Sequence, residues 1–207
     1  MKENIDEIVL ATTNQGKLAE LRGIFSGLGV RLRGLDEFGE GPAAVEDGAT
    51  FAENARRKAW HYSRLLGKEV LADDSGLQVD ALDGAPGVYS ARFAQVDTDD
   101  GAEQDRANNQ KLLELLAQVP AAGRRARFCC FLCLSGPKGI LLETEGFLEG
   151  IIAEKPRGSN GFGYDPIFYV PEKGKTVAQL SAEEKNDISH RGRAAQKLIE
   201  KWQEWYK

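Results

Sequence analysis

At 207 residues the chain is long enough for one full domain with a sizeable buried core. Its 42% hydrophobic and 29% charged content is that of an ordinary globular protein, and a net charge of −5 provides no field that gathers nucleic acid. No run approaches the roughly 18 apolar residues of a membrane span, and Met1–Glu7 is acidic with no apolar leader, so the expectation is a cytoplasmic protein with neither nucleic-acid nor membrane partners.

Ile5 to Ala11 reads as a buried strand centred on Ile8-Val9-Leu10-Ala11. Asn14 to Leu28 reads as a helix, with Leu18, Leu21, Ile24, Phe25 and Leu28 on one face, ended by Gly29. Val30 to Leu35 is a second short strand, and Asp36 to Gly48, rich in Gly, Pro and acids, is a loop. A helix follows over Thr50 to Leu66, with Phe51, Ala55, Ala59 and Tyr62 on its apolar face. Val70-Leu71-Ala72 is a short apolar strand that runs into Asp73-Asp74. Gly84 to Gly87 is a turn, and Asp100 to Val119 is helical. Ala126–Leu134 and Ile140–Leu148 pattern as an antiparallel pair across Gly136-Pro137-Lys138-Gly139. Pro166 to Val170 is a short strand, and Ser189 is a suitable N-cap for a closing helix to Tyr206. With no repeat or linker, residues 1–207 form one domain of the α/β class with a mixed sheet.

Cys129, Cys130 and Cys133 lie in an apolar strand pattern, where Cys130 and Cys133 face opposite ways. With no second Cys/His pair to complete a zinc site, they read as small core residues in a reducing compartment.

Three segments carry chemistry. In Thr12-Thr13-Asn14-Gln15-Gly16-Lys17 a strand gives way to a helix, whose first amides attract anions while Gly16 permits close approach and Lys17 adds charge. The ordinary alternative is an Asn or Thr cap beside a solvated lysine. Asp73-Asp74, placed after an apolar strand, lie where α/β proteins place ligands, and hard carboxylates beside a phosphate site suit Mg²⁺. Ser75-Gly76 continue the polar character; Glu46 and Glu53 are candidate further ligands, and Lys58 a phosphate contact. Near the C-terminus, Gly161-Phe162-Gly163-Tyr164-Asp165-Pro166, with Lys185, His190 and Arg191, combines an aromatic face, a carboxylate and cationic donors. That set suits a planar base, with Phe162 stacking worth about 1–3 kcal/mol.

The chain resembles the inosine triphosphate pyrophosphatase family, bacterial branch, from about Ile8 to the closing helix. The motifs that carry the resemblance are Ala11 to Lys17, Thr50-Phe51-Ala52-Glu53-Asn54-Ala55, Ala72 to Leu77, Gly84 to Arg92, Gly161 to Pro166 and Ile188 to Gly192. Gly158-Ser159-Asn160-Gly161 departs from the branch's usual Gly-Thr-Gly-Gly. The resemblance implies an elongated two-lobed fold with a cleft between lobes, a homodimer, and Mg²⁺-dependent hydrolysis of ITP, dITP and XTP to the monophosphate and pyrophosphate, which keeps these nucleotides out of DNA and RNA. It also implies roles for residues. Thr12, Asn14, Lys17 and Lys58 go to the phosphates, with Thr13, Gln15 and Gly16 among the substrate-binding residues, and Glu46 and Asp74 go to the metal. Asp74 is also the proton acceptor, with Asp73 alongside. Ser75, Phe162, Gly163, Tyr164, Asp165, Lys185, His190 and Arg191 go to the nucleoside end.

A fixed donor such as His190 or Arg191 facing the 6-oxygen of a purine favours hypoxanthine and xanthine over adenine. Opposite adenine, donor meets donor, at about 1–3 kcal/mol. Two alternatives stand beside this reading: a pyrophosphatase for other modified nucleotides such as pyrimidine triphosphates, and a nucleotide sensor that binds without hydrolysis.

Overall fold

The computed structural model describes residues 5–39 and 41–206; Met1–Asn4, part of the acidic N-terminus, lie outside it. Five helices are labelled here, α1 (Gln15–Phe25), α2 (Phe51–Leu66), α3 (Gly101–Leu115), α4 (Ala182–Ile188) and α5 (His190–Tyr206). The strands are β1 (Glu7–Leu10), β2 (Arg31–Gly34), β3 (Val70–Val79), β4 (Arg125–Gly136), β5 (Gly139–Ile152), β6 (Phe168–Val170) and β7 (Lys175–Thr176), in one sheet of order β2-β1-β3-β4-β5-β6-β7. β1 runs parallel to β2 and β3, whereas β6 is antiparallel to β5 and β7. The α/β class with a mixed sheet is therefore as expected. Among the described residues no helix is long and apolar enough to cross a membrane.

The chain packs as two compact units. The first comprises Met1–Asp74, Cys130–Gly146 and His190–Lys207; the second comprises Ser75–Cys129 and Phe147–Ser189.

In the first unit, alternation along the strands builds two cores. Ile8, Leu10, Leu71, Cys130, Leu132 and Leu134 pack with Leu18, Leu21 and Phe25 of α1 and Ala194, Ala195, Leu198 and Trp202 of α5. Val9, Ala11, Val70, Ala72 and Cys133 pack with Ala55 and Ala59 of α2. Cys130 and Cys133 thus face opposite ways, and burial pushes both thiols up to about 12, which keeps them protonated and inert.

The second unit has one core. Leu77 and Val79 of β3, Leu112 and Leu116 at the end of α3, Phe128, Leu148 and Ile152 of the sheet, and Tyr164, Ile167 and Phe168 bury together.

One expectation needs correction. The strand at Val70 does not stop before the aspartates; β3 continues through Asp73 and Asp74 to Val79, so the pair lies within a strand rather than beyond its end. Both carboxylates find partners, described below, so the ladder need not break for them. α4, over which the sequence reading placed no element, is seven residues that carry Lys185 and that apolar periodicity does not reveal. Its signal was the capping box: Ser181 accepts from the Glu184 amide while Glu184 accepts from the Ser181 amide.

Candidate active site

In the first unit, α1 follows β1 after a four-residue turn. Asn14 is its N-cap: Oδ1 accepts from the Lys17 amide at 3.0 Å, and Thr12 Oγ1 accepts from the Asn14 amide at 3.2 Å. The Gln15 side chain bonds back to the Thr13 carbonyl. Thr13, Asn14 and Gln15 are exposed, and Thr12, Gly16 and Lys17 half-buried. The cap reading of Asn14 is therefore realised, but the solvated-lysine reading is not. Lys17 Nζ lies 2.9 Å from Asp73 Oδ2.

Strand alternation separates the aspartates. Asp73 is buried and turned toward α1 and α5, where Arg191 Nη2 stands 3.5 Å from the same Oδ2. Arg191, only 2% exposed, is also bonded through Nη1 to Glu20, one turn after Lys17 on α1. Burial alone would raise Asp73, but Lys17, Arg191 and Lys58 outweigh it and hold the carboxyl far below its usual range. Burial likewise disfavours the Arg191 cation, and Asp73 and Glu20 more than restore it. Arg191, expected at the nucleoside end, is bonded in this structure to Asp73 and Glu20, as a buried guanidinium takes the carboxylates within reach. His190 is buried at the start of α5.

Asp74 faces α2. Its Oδ2 accepts from Asn54 Nδ2 at 3.0 Å, and Asn54 Oδ1 accepts from the Gly48 amide at 2.8 Å. One turn on, Lys58 Nζ meets Glu46 Oε2 at 2.6 Å and the Asp73 carbonyl at 3.4 Å. Burial raises Asp74 to about 6, against the opposing pull of Lys17, Asn54 and Lys58. Burial also disfavours the Lys58 ammonium, but Asp73, Glu46 and Asp74 more than restore it. The Glu53 carboxylate accepts from the Ala49 amide at 2.8 Å, as a local cap at the start of α2. Ser75 continues β3 past Asp74 as the first residue of the second unit.

The donor set around Lys58 fits a hard cation. Among the described residues no group of three or more His, Cys, Asp or Glu stands together as a metal site. Mg²⁺ asks for less: one or two carboxylates, completed by water and phosphate oxygens. Asp74 and Glu46, both of which act on the Lys58 charge, could serve as such donors, and a bound cation would offset the burial that disfavours ionised Asp74.

In the second unit, Asp165 Oδ2 accepts from the Phe162 amide at 3.0 Å and from Lys185 Nζ at 2.6 Å. Lys185 Nζ also sits 4.5 Å from the centre of the half-buried Phe162 ring. Gly161, at φ +78°, admits no side chain, because a Cβ there would collide with Asp165 Oδ2. The structure brings together Phe162, Asp165 and Lys185. Tyr164, expected at the ligand, is buried, its hydroxyl donating to the Ser90 carbonyl at 2.9 Å. Asn160, the departure from the family loop, anchors it: the amide donates to Ala178 O at 3.0 Å and the side chain to Leu180 O at 2.9 Å.

Sequence reasoning missed Glu20 and Asn54. Each had a faint signal, lying three or four residues from Lys17 or Lys58 on the same helix face.

These elements define an α/β protein with a cation–carboxylate cluster on one stretch of β3 and an aromatic–cation–carboxylate group in a separate loop. Residues 8–201 match the model of the Ham1 family, and the chain belongs to that family. A dITP/XTP pyrophosphatase of Geobacillus kaustophilus is 50% identical over 198 residues, 96% of this chain and 95% of that protein. One from Syntrophobacter fumaroxidans is 51% identical over 191 residues, 92% of this chain and 79% of that one. Among solved structures, a HAM1 protein from Coxiella burnetii superposes with a TM-score of 0.85 at 44% identity, covering 96% of this chain and 98% of its own. The Ham1 protein of Staphylococcus aureus gives 0.83 at 44% identity, with 97% and 100% covered. The resemblance read from the motifs is borne out.

Proposed function

We propose that the protein is a dITP/XTP pyrophosphatase: it hydrolyses deaminated purine nucleoside triphosphates, with Mg²⁺, to the monophosphate and pyrophosphate, and so keeps them out of DNA and RNA. The observation that carries this reading is the split of the two adjacent aspartates. Asp73 is buried against Lys17 and Arg191, whereas Asp74, on the opposite face of β3, is turned to α2 with its Oδ2 on Asn54. A group of that kind suits a general base.

In this account Lys17, Lys58 and the first amides of α1 receive the triphosphate, which lets a chain of net charge −5 take a polyanion. Asp74 and Glu46 would hold Mg²⁺, which would supply neutralisation of phosphate charge. Asp74, oriented by Asn54, accepts a proton from the attacking water. The water oxygen bonds to the α-phosphorus, the bond from that phosphorus to the α,β-bridging oxygen breaks, and pyrophosphate leaves with the electron pair. Arg191 and Lys17 keep Asp73 ionised, so the proton goes to Asp74.

The base is assigned to Phe162, Asp165 and Lys185. With Arg191 bound to Asp73 and Glu20, Lys185 is the donor beside the stacking ring. A 6-oxo purine accepts from it; adenine opposes it with an amino group, a difference of about 1–3 kcal/mol. The expected homodimer is part of this proposal on the strength of the family resemblance, and the expected cytoplasmic location on the strength of the chain's composition.

The test is turnover of dITP, XTP, GTP, ATP and dUTP with and without Mg²⁺, with the products identified. Pyrophosphate and monophosphate from dITP and XTP, lost without Mg²⁺, are expected. Preference for dUTP, orthophosphate as product, or binding without turnover would refute the reading.

A further inference from the structure

The Phe162 loop turns on Gly163, which sits at φ +63° although a Cβ there would meet nothing within 4 Å. Space therefore does not dictate this conformation, and glycine by itself is indifferent to the sign of φ. Helix α3 holds it from outside. Asp105 Oδ2 accepts from the Gly163 amide at 2.6 Å, and Asn109 Nδ2 donates to the Gly163 carbonyl at 2.8 Å. The two side chains are four residues apart, hence on one face of α3, and grip both polar groups of a single loop residue. The next residue on α3's buried face extends the grip. Asn108 Nδ2 donates to the Ser90 and Ala91 carbonyls at 3.3 and 3.1 Å, and the Ser90 carbonyl also receives the Tyr164 hydroxyl.

These groups are poor choices for stability alone. Asn109 is 7% exposed and its Oδ1 is buried with no hydrogen-bond partner among the described residues, so an apolar side chain would pack there without that penalty. Burial raises Asp105, so its carboxylate too is held against desolvation, offset by the Gly163 amide. What both contribute is the loop. Phe162 precedes Gly163, and Asp165, which receives the Phe162 amide and Lys185, follows two residues later.

We propose that Asp105 and Asn109 are positioning residues for nucleobase recognition: their clasp on Gly163 fixes the Phe162 ring and the Asp165–Lys185 pair before the base arrives. This rests on the assignment of the base to Phe162, Asp165 and Lys185. Loss of the clasp moves the ordering of the loop into the binding step, so base affinity falls while chemistry at the phosphates is untouched.

The experiment is steady-state kinetics of the full chain with dITP, XTP and GTP, on Asp105→Ala, Asp105→Asn and Asn109→Asp. Asn at 105 keeps an oxygen acceptor for the Gly163 amide; Asp at 109 keeps the shape but sets an acceptor against the Gly163 carbonyl. Asp105→Ala and Asn109→Asp should raise KM for dITP and XTP about tenfold, the equivalent of ordering roughly one backbone residue. Their kcat should stay within about twofold, and Asp105→Asn should behave as the native protein, since neither touches the reacting phosphates. Hydrogen exchange of the Phe162–Tyr164 amides should quicken in the two disruptive variants alone, and it reads the clasp even where one of them is too unstable for kinetics. Unchanged KM and exchange, or a fall in kcat equal for all three nucleotides, overturns the inference while leaving the base site standing. A native protein that turns over neither dITP nor XTP overturns both.

Discussion

Asp73 and Asp74 are chemically identical neighbours with opposite electrostatic fates, and their substitution should separate the two. Asp73, lowered below its ordinary value, contributes stability that is present above about pH 4 and lost as pH falls toward its folded value. Asp73→Asn leaves Lys17 and Arg191 facing a neutral group, and denaturant unfolding near neutral pH should show a loss of about 3 kcal/mol. Asp74 has the opposite sign. Its folded value of about 6 lies above that of the unfolded chain, so metal-free protein loses stability as pH rises between the two. Asp74→Asn removes that penalty and keeps an acceptor for Asn54. Without divalent cations the variant should be more stable than native by about 1–3 kcal/mol at pH 7–8, the gap closing by about pH 4. Added Mg²⁺ should raise the Tm of the native protein and not that of the variant. A variant less stable at pH 8, or equally stabilised by Mg²⁺, would contradict the assignment. The pair's adjacency was legible in the sequence, but its division of labour was not. That division depends on Lys17, Arg191 and Lys58, which arrive from three helices.

At the scale of elements, β1, α1, α2 and the hairpin strands were readable because their apolar residues repeat at the period of the element that buries them. β3 was truncated in the reading because two aspartates look like a turn when their partners are invisible. Apolar periodicity could not reveal α4, which has two turns and no apolar stripe; its capping box was the only local cue. α5 seats on β5 at Gly146, where a Cβ would collide with the His190 carbonyl and lie 2.5 Å from the Ala194 amide. Those are backbone atoms and cannot swing aside. Gly146→Ala should therefore lift the first turn of α5, shift Arg191 from Asp73, and lower stability by about 1–3 kcal/mol together with kcat. Native Tm and native kcat in that variant would show that the first turn of α5 does not position Asp73.

At the scale of the molecule, the two units are each discontinuous in sequence: the chain passes between them at Asp74–Ser75, Cys129–Cys130, Gly146–Phe147 and Ser189–His190. Three of those junctions fall within β3, β4 and β5, so no change of composition marks them and no linker was there to be read. The candidate phosphate and metal residues lie in the first unit, and Phe162, Asp165 and Lys185 in the second. The motifs of Lys17, Asp74 and Phe162 were legible because each combines residue types that ordinary surface loops rarely need together. The buried supports, Glu20, Asn54, Asp105 and Asn109, were not, because an isolated polar residue on a helix reads as solvated until its partner is known. Central to the proposed reaction is Asp74, as the group that takes the proton from water. The most direct measurement is Mg²⁺-dependent pyrophosphate release from dITP by native protein and by Asp74→Asn, with folding of the variant verified by its unfolding curve. Release by the native protein and a fall of at least about a hundredfold in kcat for a folded variant are expected. Turnover by Asp74→Asn within tenfold of native would contradict the proposed reaction.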